Sequence, residues 1–273
     1  MSDRLKGLLF DFDDTLIDWS GVQQSWYELE APRLRRVHAY VCSRANNSNI
    51  NARQLIDLYQ ERTMQAWTEA RQSLIAPHMP DILFTALKDL GFKSAELDLD
   101  EVIRAYNWNV VPGTVVFPDV LPMLEALASA GVKLGIVTNS SQPMALRDAE
   151  LAGHGLLDYF PDCRLAAADT GYLKPHPRMF EAALSEMGTA PGETVFIGDN
   201  PKADIAGALA VGMRAVQRIN HRAFDSGIPG IQPNSQRVFP GWENMNWRAS
   251  LRSLDELPAI LREWYPDWRN GSP

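Results

Sequence analysis

Four short apolar runs, each ending in polar residues, constrain this chain more than any other feature. They are Leu8–Phe10 before Asp11, Val132–Val137 before Thr138, Val195–Ile197 before Gly198-Asp199, and Ala215–Ile219 before Asn220. Short apolar runs of this length read as buried parallel strands, although the fourth contains Gln217 and Arg218. Helix-like stretches such as Val120–Ala130 and Pro177–Met187 lie between them. Strands alternating with helices predict an α/β fold, a doubly wound parallel sheet. Ligands in such sheets bind beyond the carboxyl ends of the strands. The polar residues after the first three runs should therefore converge on one crevice.

Residues from about 17 to 111 differ in kind. Ile56, Tyr59, Thr63, Trp67, Ala70 and Leu74 recur at spacings of three and four, as one helix face requires. This stretch reads as a second, helical domain at 18–111, inserted into an α/β domain made of 1–17 and 112–273. The two crossings, near residues 18 and 112, should act as hinges. Pro32 cannot sit comfortably inside one long helix from Trp19 to Val41, because it lacks the N–H that an interior position needs, so a break or a new helix start is expected near it. Ser253 followed by Glu256 is a capping-box pattern before Leu257, Ile260 and Leu261, so a closing helix is expected despite Pro258. The Pro-, Gly- and Asn-rich segment 221–246 reads as a long loop. With Trp242 it should pack near the crevice or against a second copy of the chain, which would make a homodimer; the competing reading is that Trp247, Trp264 and Trp268 simply cover an exposed side of the sheet.

Composition narrows the function classes. Lys and Arg number 26 against 34 Asp and Glu, giving −8 and a pI near 5.2, so general attraction to nucleic acid or an anionic membrane is not expected. Cys42 and Cys163 stand far apart with no CxxC pattern, which suggests neither a disulfide framework nor a zinc site. The five histidines show no ligand pairing either. The first residues contain too few apolar side chains for a signal peptide or a membrane span, so a reducing cytoplasm is the expected location.

The crevice residues carry chemistry. In Asp11-Phe12-Asp13-Asp14-Thr15, Asp11 and Asp13 project to one side of an extended chain. Two carboxylates so close repel unless a cation sits between them, and oxygen-only ligands favour Mg²⁺. A solvated acidic turn is the competing reading. Thr138-Asn139-Ser140 could be an ordinary turn, or hydrogen-bond donors for phosphate oxygens. Lys174, flanked by Pro175 and Pro177, could be a surface lysine; Gly198-Asp199-Asn200-Pro201-Lys202-Ala203-Asp204 again sets carboxylates at a strand end.

Taken together and in this order, the four features resemble the haloacid dehalogenase-like hydrolase superfamily, with its strand-DxDxT, strand-end Thr or Ser, Lys, and GDxxxxD motifs. The resemblance covers roughly 1–17 and 112–219 and includes the position of the helical insert. It implies a Rossmann-like core with an α-helical cap, and hydrolysis of a small phosphorylated metabolite through an aspartyl-phosphate. In that family Asp11 would be the nucleophile and Asp13 the general acid and base. Mg²⁺ would be held by Asp11, the Asp13 backbone carbonyl and Asp199. Thr138, Asn139 and Lys174 would hold phosphoryl oxygens, and Thr15 and Asp204 would support them, Asp204 by orienting Lys174 or the metal's water shell.

Asp13 favours a phosphatase over a 2-haloacid dehalogenase, since a halide leaves without a proton. A phosphomutase, and a phosphate-binding protein without turnover, remain the alternatives. Kinase and dinucleotide folds are disfavoured by the absence of GxxxxGK(S/T) and of GxGxxG opening a helix. The run Arg33, Arg35, Arg36 and His38 reads as a solvated helix face, and Arg71 and His78 as candidates for the substrate-selecting edge of a cap that closes as a lid.

Overall fold

The computed structural model describes residues 4–44, 50–93, 97–219 and 248–268. The predicted strands form: β1 (Gly7–Phe10), β4 (Lys133–Thr138), β6 (Thr194–Gly198) and β7 (Arg214–Arg218). Two further strands, β5 (Cys163–Ala166) and β8 (Arg248–Leu251), extend the sheet to the order β5-β4-β1-β6-β7-β8, every pair parallel. Strand β1 is central, with Phe10 level with Ile136 on one side and Ile197 on the other. Asp11, Thr138 and Asp199 therefore leave the sheet at one edge, as the crevice argument requires.

Alternation along the strands separates two cores. Leu8, Phe10, Ile136 and Ile197 face one side with Leu124 and Leu127 of α5 (Val120–Ser129) and Leu257 and Leu261 of α10 (Leu257–Trp264). Leu9, Val137 and Phe196 face the other with Met179, Phe180 and Ala183 of α8 (Pro177–Met187), completing the doubly wound arrangement. The closing helix α10 follows the predicted capping box, in which the Ser253 N–H donates to Glu256 Oε1 at 3.0 Å. Helix α6 (Met144–Gly153) and the shorter helices α7 (Ala167–Thr170) and α9 (Gly207–Ala210) also belong to the core.

Between β2 (Ile17–Asp18) and β3 (Val115–Val116), which pair antiparallel, the described residues form four helices. These are α1 (Trp26–Arg44), α2 (Ala52–Ser73), α3 (Met79–Asp89) and α4 (Leu99–Tyr106). The break expected at Pro32 is absent: α1 runs unbroken through it. A proline inside a helix costs roughly 3 kcal/mol, whereas burying a Leu or Val side chain gains about 1.5–3 kcal/mol. Leu29, Leu34, Val37 and Val41 of α1 are all buried, so packing outweighs the lost hydrogen bond. The solvated basic face holds for Arg35 and Arg36, which are exposed, and needs correction at Arg33. Arg33 is buried with its guanidinium 4.3 Å from the Trp108 ring centroid, and Arg36 donates to the carbonyls of Ala105, Tyr106 and Asn107 at the end of α4. The 221–246 loop and Trp242 lie outside the described residues. Among those described, no helix is long and apolar enough to cross a membrane.

Candidate active site

Asp11 emerges from β1 almost wholly buried, its N–H donating to Ile197 O at 2.8 Å. Lys174 Nζ donates to Asp11 Oδ1 at 2.7 Å and to Val137 O at 2.7 Å, while Thr15 Oγ1 donates to Asp11 Oδ2 at 3.2 Å. Asp204 Oδ1 stands 2.8 Å from the same lysine nitrogen. The carboxylate of Asp204 reaches this point because Gly198 has no side chain: a Cβ there would lie 2.5 Å from Asp204 Cγ. Lys174 is thus a buried cation clasped by two carboxylates, not a surface lysine. Burial works against its charge, but Asp11 and Asp204 outweigh that and hold its pKa above the ordinary value.

Asp11, Asp199 and Asp204 each offer an oxygen within 4.8 Å of the others. Burial pushes the Asp11 carboxyl up to about 7; Lys174 opposes this, and Asp204 and Asp13 add to it. A buried group with three carboxylates and one lysine carries surplus negative charge. Oxygen-only donors in that setting fit a hard divalent cation such as Mg²⁺.

Asp13 occupies a separate part of the crevice. Its Oδ1 accepts from Trp19 Nε1 at 2.9 Å and from Arg147 Nη2 at 2.8 Å, and its Oδ2 accepts from Thr138 Oγ1 at 3.3 Å. Thr138 therefore stands beside Asp13. Asn139 is turned elsewhere: it accepts the Lys174 N–H at 2.7 Å and donates to Lys174 O at 3.1 Å, bracing the segment that carries the lysine. Of the predicted residues, Asp11, Thr15, Lys174, Asp199 and Asp204 form one cluster, Asp13 and Thr138 adjoin it, and Asn139 supports it from behind.

The helical insert closes over this edge. The loop between α2 and α3 is bonded to the core through its main chain: Ala76 N–H to Gly171 O at 3.0 Å, Leu173 N–H to Leu74 O at 2.9 Å, and Met79 N–H to Ser141 O at 2.7 Å. His78 lies on this loop with Nδ1 2.8 Å from Asp81, and Arg71 is exposed at the end of α2. Sequence reasoning missed Trp19, Trp108, Arg147 and Glu150. Arg147 pairs with Glu150 at 3.0 Å as well as with Asp13, and Trp108 Nε1 donates to Glu150 Oε2 at 2.8 Å. The spacing of Arg147 and Glu150 at i and i+3 is compatible with such a pair but common on any helix.

A family model described as haloacid dehalogenase-like hydrolase matches residues 5–212. Glyceraldehyde 3-phosphate phosphatase from Methanopyrus kandleri is 28% identical over 254 residues, spanning 93% of this chain and 98% of that protein. (S)-2-haloacid dehalogenase 4A from Burkholderia cepacia is 28% identical over 265 residues, 96% of each chain. The structure of a HAD phosphatase from Thermococcus onnurineus matches with a TM-score of 0.54 at 24% identity, over 94% of this chain and 98% of that one.

Proposed function

The chain belongs to the haloacid dehalogenase-like hydrolases, and from that premise we propose that it hydrolyses a small phosphate monoester with Mg²⁺ through an aspartyl-phosphate. Similarity alone does not choose between the chemistries, since a phosphatase and a dehalogenase are equally identical to the chain. One observation carries the choice: Asp13, a second carboxylate two residues beyond Asp11, is held in the crevice by three donors. An alkoxide leaving group needs a proton and a halide does not, so an oriented second acid serves an ester.

In this reading the Asp11 carboxylate attacks phosphorus as the bond to the leaving oxygen breaks, and Asp13 gives that oxygen its proton. Asp13 then takes a proton from water as the water attacks the aspartyl-phosphate, releasing phosphate and restoring Asp11. Lys174 neutralises charge beside Asp11 throughout, and Thr138 borders the same space. Asp11, Asp199 and the Asp13 backbone carbonyl, with Asp204 beside them, would hold Mg²⁺, whose positive charge would let an anionic nucleophile meet an anionic ester. The cap at 18–111 selects the leaving group, with the loop carrying His78 bonded to the core and Trp19 bonded to Asp13 as parts of its edge.

The test is phosphate release from a panel of phosphorylated sugars, nucleotides and carboxylic acids, with halide release from 2-chloropropionate in parallel. Expected is phosphate release that needs Mg²⁺, stops with excess chelator and is abolished in Asp11→Asn. Halide release without phosphate release would overturn the reading, as would undiminished turnover in chelator.

A further inference from the structure

Asp13 is held unevenly, and the asymmetry has a source outside the motif. Both strong donors, Arg147 Nη2 and Trp19 Nε1, converge on Oδ1; among the described residues Oδ2 meets only the Thr138 hydroxyl, at the longer distance of 3.3 Å. The side chain of Asp13 is 35% exposed and that of Arg147 only 5%, so the arginine approaches from within the protein while the carboxylate faces the crevice. Its guanidinium crosses the ring of Phe12, 4.9 Å from the centroid, and is pinned behind by Glu150. Glu150 is itself held by the Trp108 indole, at the return from the helical insert. A guanidinium fixed by a second carboxylate and an aromatic face has little rotamer freedom left and keeps a constant direction.

We propose that Arg147 is a positioning residue for Asp13: with Trp19 it occupies Oδ1, and so leaves Oδ2 as the oxygen turned to the reacting atoms beside Thr138. The inference rests on the phosphatase reading and adds to it a residue from α6, outside the family motifs described above. Arg147 touches neither substrate nor metal in this scheme; it acts by fixing which oxygen of Asp13 meets the leaving group. The same chain of contacts, from Asp13 through Arg147 and Glu150 to Trp108, ties that orientation to the seating of the helical insert.

The test compares wild type, Arg147→Lys, Arg147→Met and Trp19→Phe on two esters with Mg²⁺ present, phenyl phosphate and p-nitrophenyl phosphate. The p-nitrophenolate leaves readily unprotonated, so misplacing the acid should harm phenyl phosphate more. General acid catalysis is worth about 10²–10⁴-fold, so Arg147→Met should lower kcat/KM, which reports the step that releases the alcohol, by roughly a hundredfold on phenyl phosphate and by roughly tenfold or less on p-nitrophenyl phosphate. Arg147→Lys, which keeps the charge but not the planar fork, should recover part of that loss. Trp19→Phe removes the other Oδ1 donor and should show the same ester preference, at about tenfold. Circular dichroism and thermal unfolding identify folded variants; if Arg147→Met does not fold, Arg147→Lys and Trp19→Phe decide. Equal losses of kcat/KM on both esters, or wild-type kcat/KM in the folded variants, would overturn the assignment while leaving the phosphatase reading intact. Wild type that releases phosphate from neither ester overturns that reading, and the assignment with it.

Discussion

Buried ionisable groups in this protein divide into those with a charged partner and those without enough of one. Lys174 is satisfied twice over, whereas Glu30 in α1 is fully enclosed and receives the Tyr106 hydroxyl at 2.6 Å. Burial raises Glu30 from an ordinary 4.5 to about 7; Tyr106 and Arg33 only partly oppose it. The folded state thus keeps a proton that the unfolded state releases, so the contribution of Glu30 to stability is full below about pH 4.5 and lost as pH rises through 7. That shift is worth about 3 kcal/mol at most. Denaturant titrations at pH 5 and pH 8 should show wild type weaker at pH 8, with the difference smaller in Glu30→Gln; Asp14, raised to about 7 by its own burial, contributes equally to both proteins. An unchanged pH slope in the variant would refute the role of Glu30. At this scale the sequence was informative where chemistry-bearing residues follow an apolar run, as Asp11, Asp13, Thr138 and Asp199 do. It was silent on Arg147 and Glu150, because nothing local to α6 reveals which residue a long side chain will meet 134 positions away.

Elements were legible where one pattern dominated. Strands β1, β4 and β6 are apolar through their middles and were recognisable for that reason; β7, which reads Arg-Ala-Val-Gln-Arg, showed only through Ala215, Val216 and the Ile219 that follows it. Strands β5 and β8, which read Cys-Arg-Leu-Ala and Arg-Ala-Ser-Leu, sit at the two edges of the sheet, where polar residues are tolerated and the apolar signal fades. Helix α1 shows the reverse, a local rule about proline overridden by packing. The two chain crossings into and out of the helical insert meet back to back beyond the β2–β3 pair. Gly113 has φ +98°, and a Cβ there would stand 2.5 Å from Gly21 O; a Cβ on Gly21 would stand 2.4 Å from Gly113 O. Gly113→Ala should therefore add backbone strain and a steric clash together, destabilising the protein by roughly 2–5 kcal/mol. A urea midpoint within error of wild type would show that the crossings can part at no cost.

Contacts between the insert and the core bear on how the whole molecule behaves. One continuous hydrophobic cluster contains Leu34, Leu83 and Tyr106 from the insert together with Leu8, Ile136 and Leu261 from the core. Buried polar contacts cross the same boundary, Gln142 Nε2 to the Tyr106 hydroxyl at 3.3 Å and Trp108 Nε1 to Glu150 at 2.8 Å. With the three main-chain bonds of the α2–α3 loop this makes five hydrogen bonds. At about 1 kcal/mol each they sum to roughly 5 kcal/mol, comparable to the whole stability of many domains. Any opening of the insert as a lid must break some of these, and the insert cannot leave the core without exposing the shared cluster. Chains of this size often unfold in steps, one domain before the other. Here the shared core argues for one step. Unfolding in urea followed by far-ultraviolet circular dichroism, which reports the helices of both parts, should superimpose on unfolding followed by tryptophan fluorescence, since Trp19, Trp26, Trp67 and Trp108 lie in or beside the insert and Trp264 and Trp268 pack on the core. Gly113→Ala should shift both curves together. Two resolved midpoints, with the tryptophan signal of the insert lost first, would show instead that the insert is a separately stable body and that the contacts across the boundary are weaker than their number implies.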